Sequence, residues 1–484
     1  MKAKLFLSLY CLLTWVIPGQ SQNEVLQSLI DRTLDDNIFE HANASVCIAE
    51  VESGAILAGH RAHKVLVPAS SLKLFTSFCG LVYLGPEYRF KTSLEYDGAL
   101  KDDGTLEGNI YIKGGGDPTL GSNRFDSVLD FDDLMNDMYN AIRKAGINCI
   151  KGNIIADESV FDSYPVAPSW QWNDLGNYYA SGAWGLNINE NQYFVHFGNR
   201  EIIGALAEIK KVYPSVKGLK LSNEVTIDSS HTGDQAYIFG GPYNFGKRIV
   251  GTIPQGKGLF TIKGSIPDPP EFAAERLSIK LDKENVQSSG VSTLYRENKS
   301  ARSLIKEYSS PSLKDIVAKT NISSLNLHSE CILKMIGLNE RGQGSGQNGI
   351  AAIKSKLRSY GIDPEVLHIE DGSGLSARNL ISSASMALFL AEVTQEINLE
   401  ILLETLAIGG YNGTVGNMFN KSGARGNVWL KSGSMTGIQS YSGYIKAKSG
   451  KWLSFSVIIN GFSAKGSIVR RKLNDLIAEI YESG

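Results

Sequence analysis

The sequence predicts an α+β fold in which an antiparallel sheet is flanked by helices and a large, mostly β region is inserted into the chain. Three observations predict it. A hairpin pattern at 44–58 opens the chain, and strand patterns at 427–432, 438–447 and 452–461 close it, so one sheet joins the two ends most economically. Between about 89 and 290, short β-rich runs alternate with Asp-Gly and Gly-rich turns. After about 300, the apolar spacing is helical at 312–337, 349–360 and 380–408.

In chain order, Lys2 and Lys4 precede an uncharged run from Leu5 to Ile17, followed by Pro18, Gly19 and Ser21. This reads as an export signal removed near residue 22. The 13-residue run is short of the ~20 residues that span a bilayer, so at most peripheral membrane contact and a periplasmic location are expected. In the hairpin that follows, Glu52-Ser53-Gly54 forms the turn. Pro68 then opens SSLKLFTSFCGLVYLG, a helical pattern stopped by Gly85, with Ser70 and Lys73 in its first turn. Within the insert, FDDLMNDMYNAIRKAG is an amphipathic helix carrying Leu134, Met138 and Ile142 on one face and closed by Gly146. The final helix carries Val469, Leu473, Leu476 and Ile480. The expected division is 1–22 signal, 23–88 plus 291–484 as one discontinuous domain, and 89–290 as an insert of two subdomains.

A net charge of -2 gives no reason to expect nucleic acid as a partner. After removal of the leader, Cys47, Cys79, Cys149 and Cys331 remain, widely spaced among apolar neighbours, and read as buried free thiols rather than as disulfides. There is no zinc-like spacing, so no metal and no cofactor is expected. Gly241-x4-Gly246-Lys247 and Gly251-x4-Gly256-Lys257 mimic phosphate loops. Arg248 and Gly258 stand where Ser or Thr is needed, and both stretches read as turns.

Three motifs carry chemistry. On a helix, Ser70 and Lys73 stand on nearly one face, ~4.5 Å apart along the axis. A serine hydroxyl needs a base, and lysine serves as one only when neutral; moving its pKa from about 10.4 towards 7 costs ~4–5 kcal/mol, which burial near other cations supplies. The backbone N–H of Ser70 would be one oxyanion donor. The spacing recurs at Ser303–Lys306, so it is not specific alone. Ser324-Leu325-Asn326 lies at a break between two helical stretches, where a hydroxyl could relay a proton and an amide could hold the lysine and substrate backbone. Taken alone, it could equally be a polar loop with local capping bonds. Lys-Ser-Gly occurs three times, but only Lys431-Ser432-Gly433 ends a strand and leads into another. There Lys431 and Ser432 could grip a carboxylate, Gly433 allows close approach, and Ser434 N–H would be the second oxyanion donor.

Together the motifs resemble the S-x-x-K, S-D-N and K-T-G signature of penicillin-binding proteins and class A β-lactamases. More closely, the chain resembles the D-alanyl-D-alanine carboxypeptidase/endopeptidase family, the class C low-molecular-mass penicillin-binding proteins. PASSLK (68–73), GGGDPTL (114–120), DESVF (157–161), GSIPDP (264–269), DGSGLS (371–376) and GYNGTV (410–415) carry the likeness, and about 250 residues separate Ser70 from Ser324. The resemblance implies a penicillin-binding/β-lactamase-like transpeptidase domain and a serine DD-peptidase acting on peptidoglycan stem peptides, with β-lactams as covalent inhibitors. It implies Ser70 as nucleophile, Lys73 as base, Ser324 as proton relay, Asn326 as orienting group, and Lys431 with Ser432 on the substrate carboxylate. It also implies Asp157 and Phe161 as contacts for the amino end of a diamino acid; a turn acid and a core aromatic are the competing readings. Leu325 and Ser432 replace the usual Asp and Thr, and Ala377 intervenes before Arg378. A wall-binding or antibiotic-sensing module without catalysis, and a β-lactamase or esterase, are the alternatives.

Overall fold

The computed structural model describes residues 18–296 and 300–484, so most of the expected leader lies outside the described residues. Its centre is a six-stranded sheet in the order Ile56–His60, Asn43–Glu50, Trp452–Asn460, Ile438–Lys446, Val428–Met435 and Ala407–Ile408. Every pairing is antiparallel. The first hairpin and the last strands therefore do meet. Gly54 turns the hairpin with φ 68°. The central strands are buried on both faces. On one face, helices Pro18–Leu34 and Gly466–Ser483 cover Val46, Ile48 and Tyr441 with Leu26, Ile30, Leu473 and Ile477. On the other, side-chain hydroxyls tie a helix to the sheet: Ser454 Oγ donates to Ala387 O at 2.8 Å and Tyr444 OH to Leu390 O at 2.7 Å, both on helix Ser383–Glu392.

Behind that face lies a helical core. Helix Lys73–Leu84 sets Phe75 and Phe78 against Phe389. Helices Leu313–Ser323, Asn326–Arg341 and Gly346–Ser359 complete it with Ile316, Ile332, Leu333 and Ile353. The break between the first two falls at Ser324 and Leu325.

The insert has its own core around Leu94, Ile112, Leu134, Met138 and Ile154. Its main sheet is mixed rather than antiparallel, ordered Gly290–Leu294, Asn153–Asp157, Ile110–Lys113, Lys91–Tyr96 and Ser303–Ser309. Strand Ser303–Ser309, beyond the expected end at 290, pairs with Lys91–Tyr96 in this sheet. Helix Phe131–Lys144 buries the expected Leu134, Met138 and Ile142. A second helix, Pro269–Lys283, replaces what reads in sequence as a turn region. Proline at its start lacks only an N–H that has no helical partner, and the Asp268 carboxylate accepts from Glu271 N at 2.9 Å to close the first turn. Smaller sheets join Glu208–Tyr213, Gln192–Gly198 and Phe260–Ser265, and Lys220–Asn223, Gly246–Pro254, Thr226–Asp228 and Gln235–Phe239. In the latter, Lys247 Nζ donates to the carbonyls of Gly240 and Gly241 at 2.6 and 3.1 Å, so this amine braces a turn.

Asp130 caps helix Phe131–Lys144 by accepting from Asp133 N at 2.9 Å. Asp130→Ala is expected to lower stability by about 1 kcal/mol in denaturant unfolding and to leave the reactivity of Ser70 unchanged. A loss of both would show that this helix supports the reactive site. The described cysteines are free, with Cys47, Cys79 and Cys331 buried and Cys149 half-buried. Among the described residues, no helix is long and apolar enough to cross a membrane.

Candidate active site

Ser70 lies in a 3-10 turn, Ala69–Leu72, that runs directly into helix Lys73–Leu84. Ala69 holds a left-handed backbone at φ 47°, a conformation that disfavours residues with a Cβ by about 1–2 kcal/mol. Its surroundings enforce it. Ser71 Oγ donates to Pro68 O at 2.9 Å and Ser440 Oγ contacts Ser71 Oγ at 3.1 Å, so the sheet grips the turn from beneath. Gly374 packs against Ala69 O so closely that a side chain there would overlap the carbonyl.

Lys73 is fully buried. Its Nζ stands 3.0 Å from Ser70 Oγ, 2.6 Å from Asn326 Oδ1 and 2.6 Å from the carbonyl of Ser373. The Asn326 amide is oriented by its other end, since Nδ2 donates to Tyr179 O at 2.8 Å. Asn326 Oδ1 and Ser373 O can only accept, so they take two N–H groups. A neutral amine then has its lone pair left for the Ser70 hydroxyl, which donates to it. Burial lowers the Lys73 pKa to about 7, while Asp371 and Glu330 pull against that shift.

Ser324 is the C-cap of helix Leu313–Ser323 and adopts a left-handed backbone at φ 58°. That bend places Ser324 two residues before Asn326, on the same helix break that delivers Asn326 to Lys73. Leu325, where an aspartate is usual, is the N-cap of the next helix and makes no side-chain cap.

The third motif arrives on strand Val428–Met435. Alternation puts Lys431 and Gly433 on one face and Ser432 and Ser434 on the other. A Cβ on Gly433 would lie 2.5 Å from Pro68 O and 2.8 Å from Ser70 N, so the strand runs against the nucleophile turn. Lys431 is fully buried and donates to Ser432 O at 2.7 Å. Burial and the neighbouring Lys73 push its pKa well below the ordinary lysine value. Ser432 Oγ lies 2.7 Å from Thr414 Oγ1, and Ser434 is exposed. Strand Ala407–Ile408 pairs only with Leu430 and Trp429, so beyond Leu430 no described strand covers the outer edge. That edge can bind an extended peptide.

The two residues expected to contact a diamino acid lie on and just after strand Asn153–Asp157. Asp157 is buried in the insert's sheet, where Arg302 Nη1 meets its carboxylate at 2.7 Å and Ser159 Oγ donates to it at 2.6 Å. Arg302 itself lies 3.8 Å over the Tyr111 ring. Phe161 is buried against Gly116, bridges to Gly344, and has Lys334 Nζ 5.5 Å over its ring. These contacts match the turn acid and core aromatic, and we assign neither residue to the Ser70 cluster. A cavity of about 1370 Å³ beside Phe161 is lined by Lys91, Glu95, Lys113 and Tyr295 but by none of the Ser70 cluster. Arg378 is exposed just past the 371–376 loop.

Sequence reasoning missed the Ser373 carbonyl, the Tyr179 carbonyl and Thr414. Backbone acceptors carry no residue-type signal, although DGSGLS and GYNGTV marked two of the segments.

Comparison with known proteins decides the family. The model of the D-Ala-D-Ala carboxypeptidase 3 (S13) family matches residues 26–481. The chain belongs to this family. It is therefore a D-Ala-D-Ala carboxypeptidase of the serine type. The D-alanyl-D-alanine carboxypeptidase DacB of Haemophilus influenzae is 25% identical over 435 residues, covering 89% of this chain and 88% of the relative. The D-alanyl-D-alanine carboxypeptidase of Actinomadura sp. is 25% identical over 458 residues, covering 90% and 81%. Penicillin binding protein 4 of H. influenzae superposes with a TM-score of 0.78 at 23% identity, over 94% of this chain and 99% of that one. The same protein in complex with a β-lactam gives a TM-score of 0.74 at 21% identity, over 94% and 99%.

Proposed function

We propose that this S13 carboxypeptidase removes the terminal D-alanine of peptidoglycan stem peptides through an acyl-enzyme on Ser70, outside the cytoplasmic membrane after export. The observation that carries the reading is the convergence of Ser70 Oγ, Asn326 Oδ1 and Ser373 O on the buried Lys73 Nζ. Neutral Lys73 takes the Ser70 proton as Oγ attacks the penultimate D-alanyl carbonyl. The backbone N–H groups of Ser70 and Ser434 receive the oxyanion. Lys73 hands that proton to Ser324 as Ser324 passes its own to the amide nitrogen, the C–N bond breaks, D-alanine leaves, and Lys73 is neutral again. Water then attacks the ester, giving its proton to Lys73 and regenerating Ser70.

The substrate would lie along the open edge of strand Val428–Met435, with its carboxylate on Ser432. Lys431 acts from the opposite face. In the free protein its buried amine is held towards the neutral form, and an arriving carboxylate would restore its charge. This differs from a preformed cationic anchor. A β-lactam presents an amide and a carboxylate in similar relation, and the relative solved in complex with a β-lactam supports β-lactam binding here.

The test is gel labelling with fluorescent penicillin, together with mass analysis of muropeptides incubated with the protein. The parent is expected to carry a covalent label and to release D-alanine; Ser70→Ala should do neither. Retention of label by Ser70→Ala would refute the assignment. Release of cross-linked dimers as well as D-alanine would add endopeptidase activity to the same site.

A further inference from the structure

Beneath Lys73 lie two buried carboxylates that the mechanism above does not use. Glu330 is on helix Asn326–Arg341, one turn past Asn326, and Asp371 opens the 371–376 loop. They are 7% and 1% exposed, respectively. Their hydrogen bonds go into one loop. Glu330 Oε1 accepts from Ser373 N at 2.7 Å and from Gly372 N at 3.0 Å. Asp371 accepts from Gly374 N at 2.8 Å, Ser376 N at 2.7 Å and Asn379 Nδ2 at 2.8 Å. Thr76 Oγ1 and Ser329 Oγ donate to Gly372 O at 2.8 and 2.6 Å. The insert closes the arrangement, since Trp170 Nε1 donates to Asp371 Oδ2 at 2.8 Å.

We infer that Glu330 and Asp371 are positioning residues that clamp the 371–376 loop, aim the Ser373 carbonyl at Lys73, and set the pH at which Lys73 becomes a base. This rests on the roles of Ser70 and Lys73 proposed above. The loop carries no regular secondary structure of its own, so the carboxylates do what a strand or helix would do elsewhere. They take up its N–H groups and leave one carbonyl facing the amine. The same charges oppose the effect of burial. Lys431, on the strand, is the facing amine, and burial together with Lys73 pushes its own pKa down. The helix of Lys73 adds Cys79, whose thiol burial keeps protonated, and Tyr83, whose phenol burial keeps protonated. Burial and Asp371 raise the pKa of Glu330 itself. The N–H donors from Gly372 and Ser373 favour its ionised form.

The sign follows directly. Removing a negative charge beside Lys73 disfavours the ammonium, so its pKa falls. In Glu330→Gln the acid limb of the acylation rate, followed with fluorescent penicillin between about pH 5 and 9, is expected to move down by about one pH unit, while the rate on the plateau falls several-fold. Glu330→Asp keeps the charge but shortens the reach. Its limb should stay in place while its plateau falls, which keeps the inference testable if the glutamine variant does not fold. A merely structural role would lower the plateau of both variants and move neither limb, and that result overturns the inference. If Ser70→Ala still labels, the acyl-enzyme reading itself has failed. If Ser70→Ala is silent and the Glu330→Gln limb stays put, only the clamp has failed.

Discussion

Lys73→Met is expected to slow acylation of Ser70 by penicillin by about 10³-fold while the protein stays folded. Methionine nearly matches the lysine in volume and suits the buried site. What it removes is the base within hydrogen-bond reach of Ser70 Oγ, at 3.0 Å. Stability should move little because two effects oppose. The site no longer holds an amine whose charge burial disfavours. Against that, Asn326 Oδ1 and Ser373 O lose their donor, at about 1–3 kcal/mol for each orphaned acceptor. Stopped-flow acylation paired with thermal unfolding reads both. A folded variant that acylates within tenfold of the parent would remove Lys73 from the mechanism. In the parent, acylation should rise as pH climbs through about 7, where Lys73 gives up its proton.

The second large effect is expected at Gly433. A Cβ there would sit 2.5 Å from Pro68 O and 2.8 Å from Ser70 N, and both are backbone atoms of a turn already held at Ala69. Neither can rotate aside as a side chain would. Gly433→Val must push strand Val428–Met435 away from the nucleophile, opening the gap between the two oxyanion donors. Such overpacking typically costs about 1–3 kcal/mol. A displacement of order 1 Å at the reacting centre costs about 10²-fold in rate. Acylation is expected to fall by at least that factor, with a loss in thermal stability alongside. Near-parent acylation by Gly433→Val would mean that the strand and the turn are not a rigid unit.

Legibility from the sequence varied with the kind of signal. The terminal hairpin and closing strands were readable because apolar alternation and Gly turns are local. Helix Phe131–Lys144 was readable because Leu134, Met138 and Ile142 recur at helical spacing. Helix Pro269–Lys283 was not, because Pro-Pro resembles a turn until the cap by Asp268 and burial of Leu277 and Leu281 are seen. The pairing of Ser303–Ser309 with Lys91–Tyr96 joins strands about two hundred residues apart, and no local pattern encodes it. At the site, Ser70, Lys73 and Asn326 stood out by residue type and spacing. Asp157 entered only through the resemblance, with a turn acid as the competing reading; its ion pair with Arg302 joins residues so distant in sequence that no motif shows it.

The sequence by itself determined the chemical inventory: a serine and a lysine one helical turn apart, an amide at a helix break, and a glycine on a strand after a lysine. Each depends on backbone periodicity and on turn chemistry, which act over a few residues. Only the tertiary structure decided that Lys73 can be a base. Its protonation depends on burial, on the Asn326 and Ser373 acceptors, and on Glu330 and Asp371, which arrive from a helix and a loop far along the chain. Electrostatic interactions act through space, and only the folded chain fixes the distances over which they act.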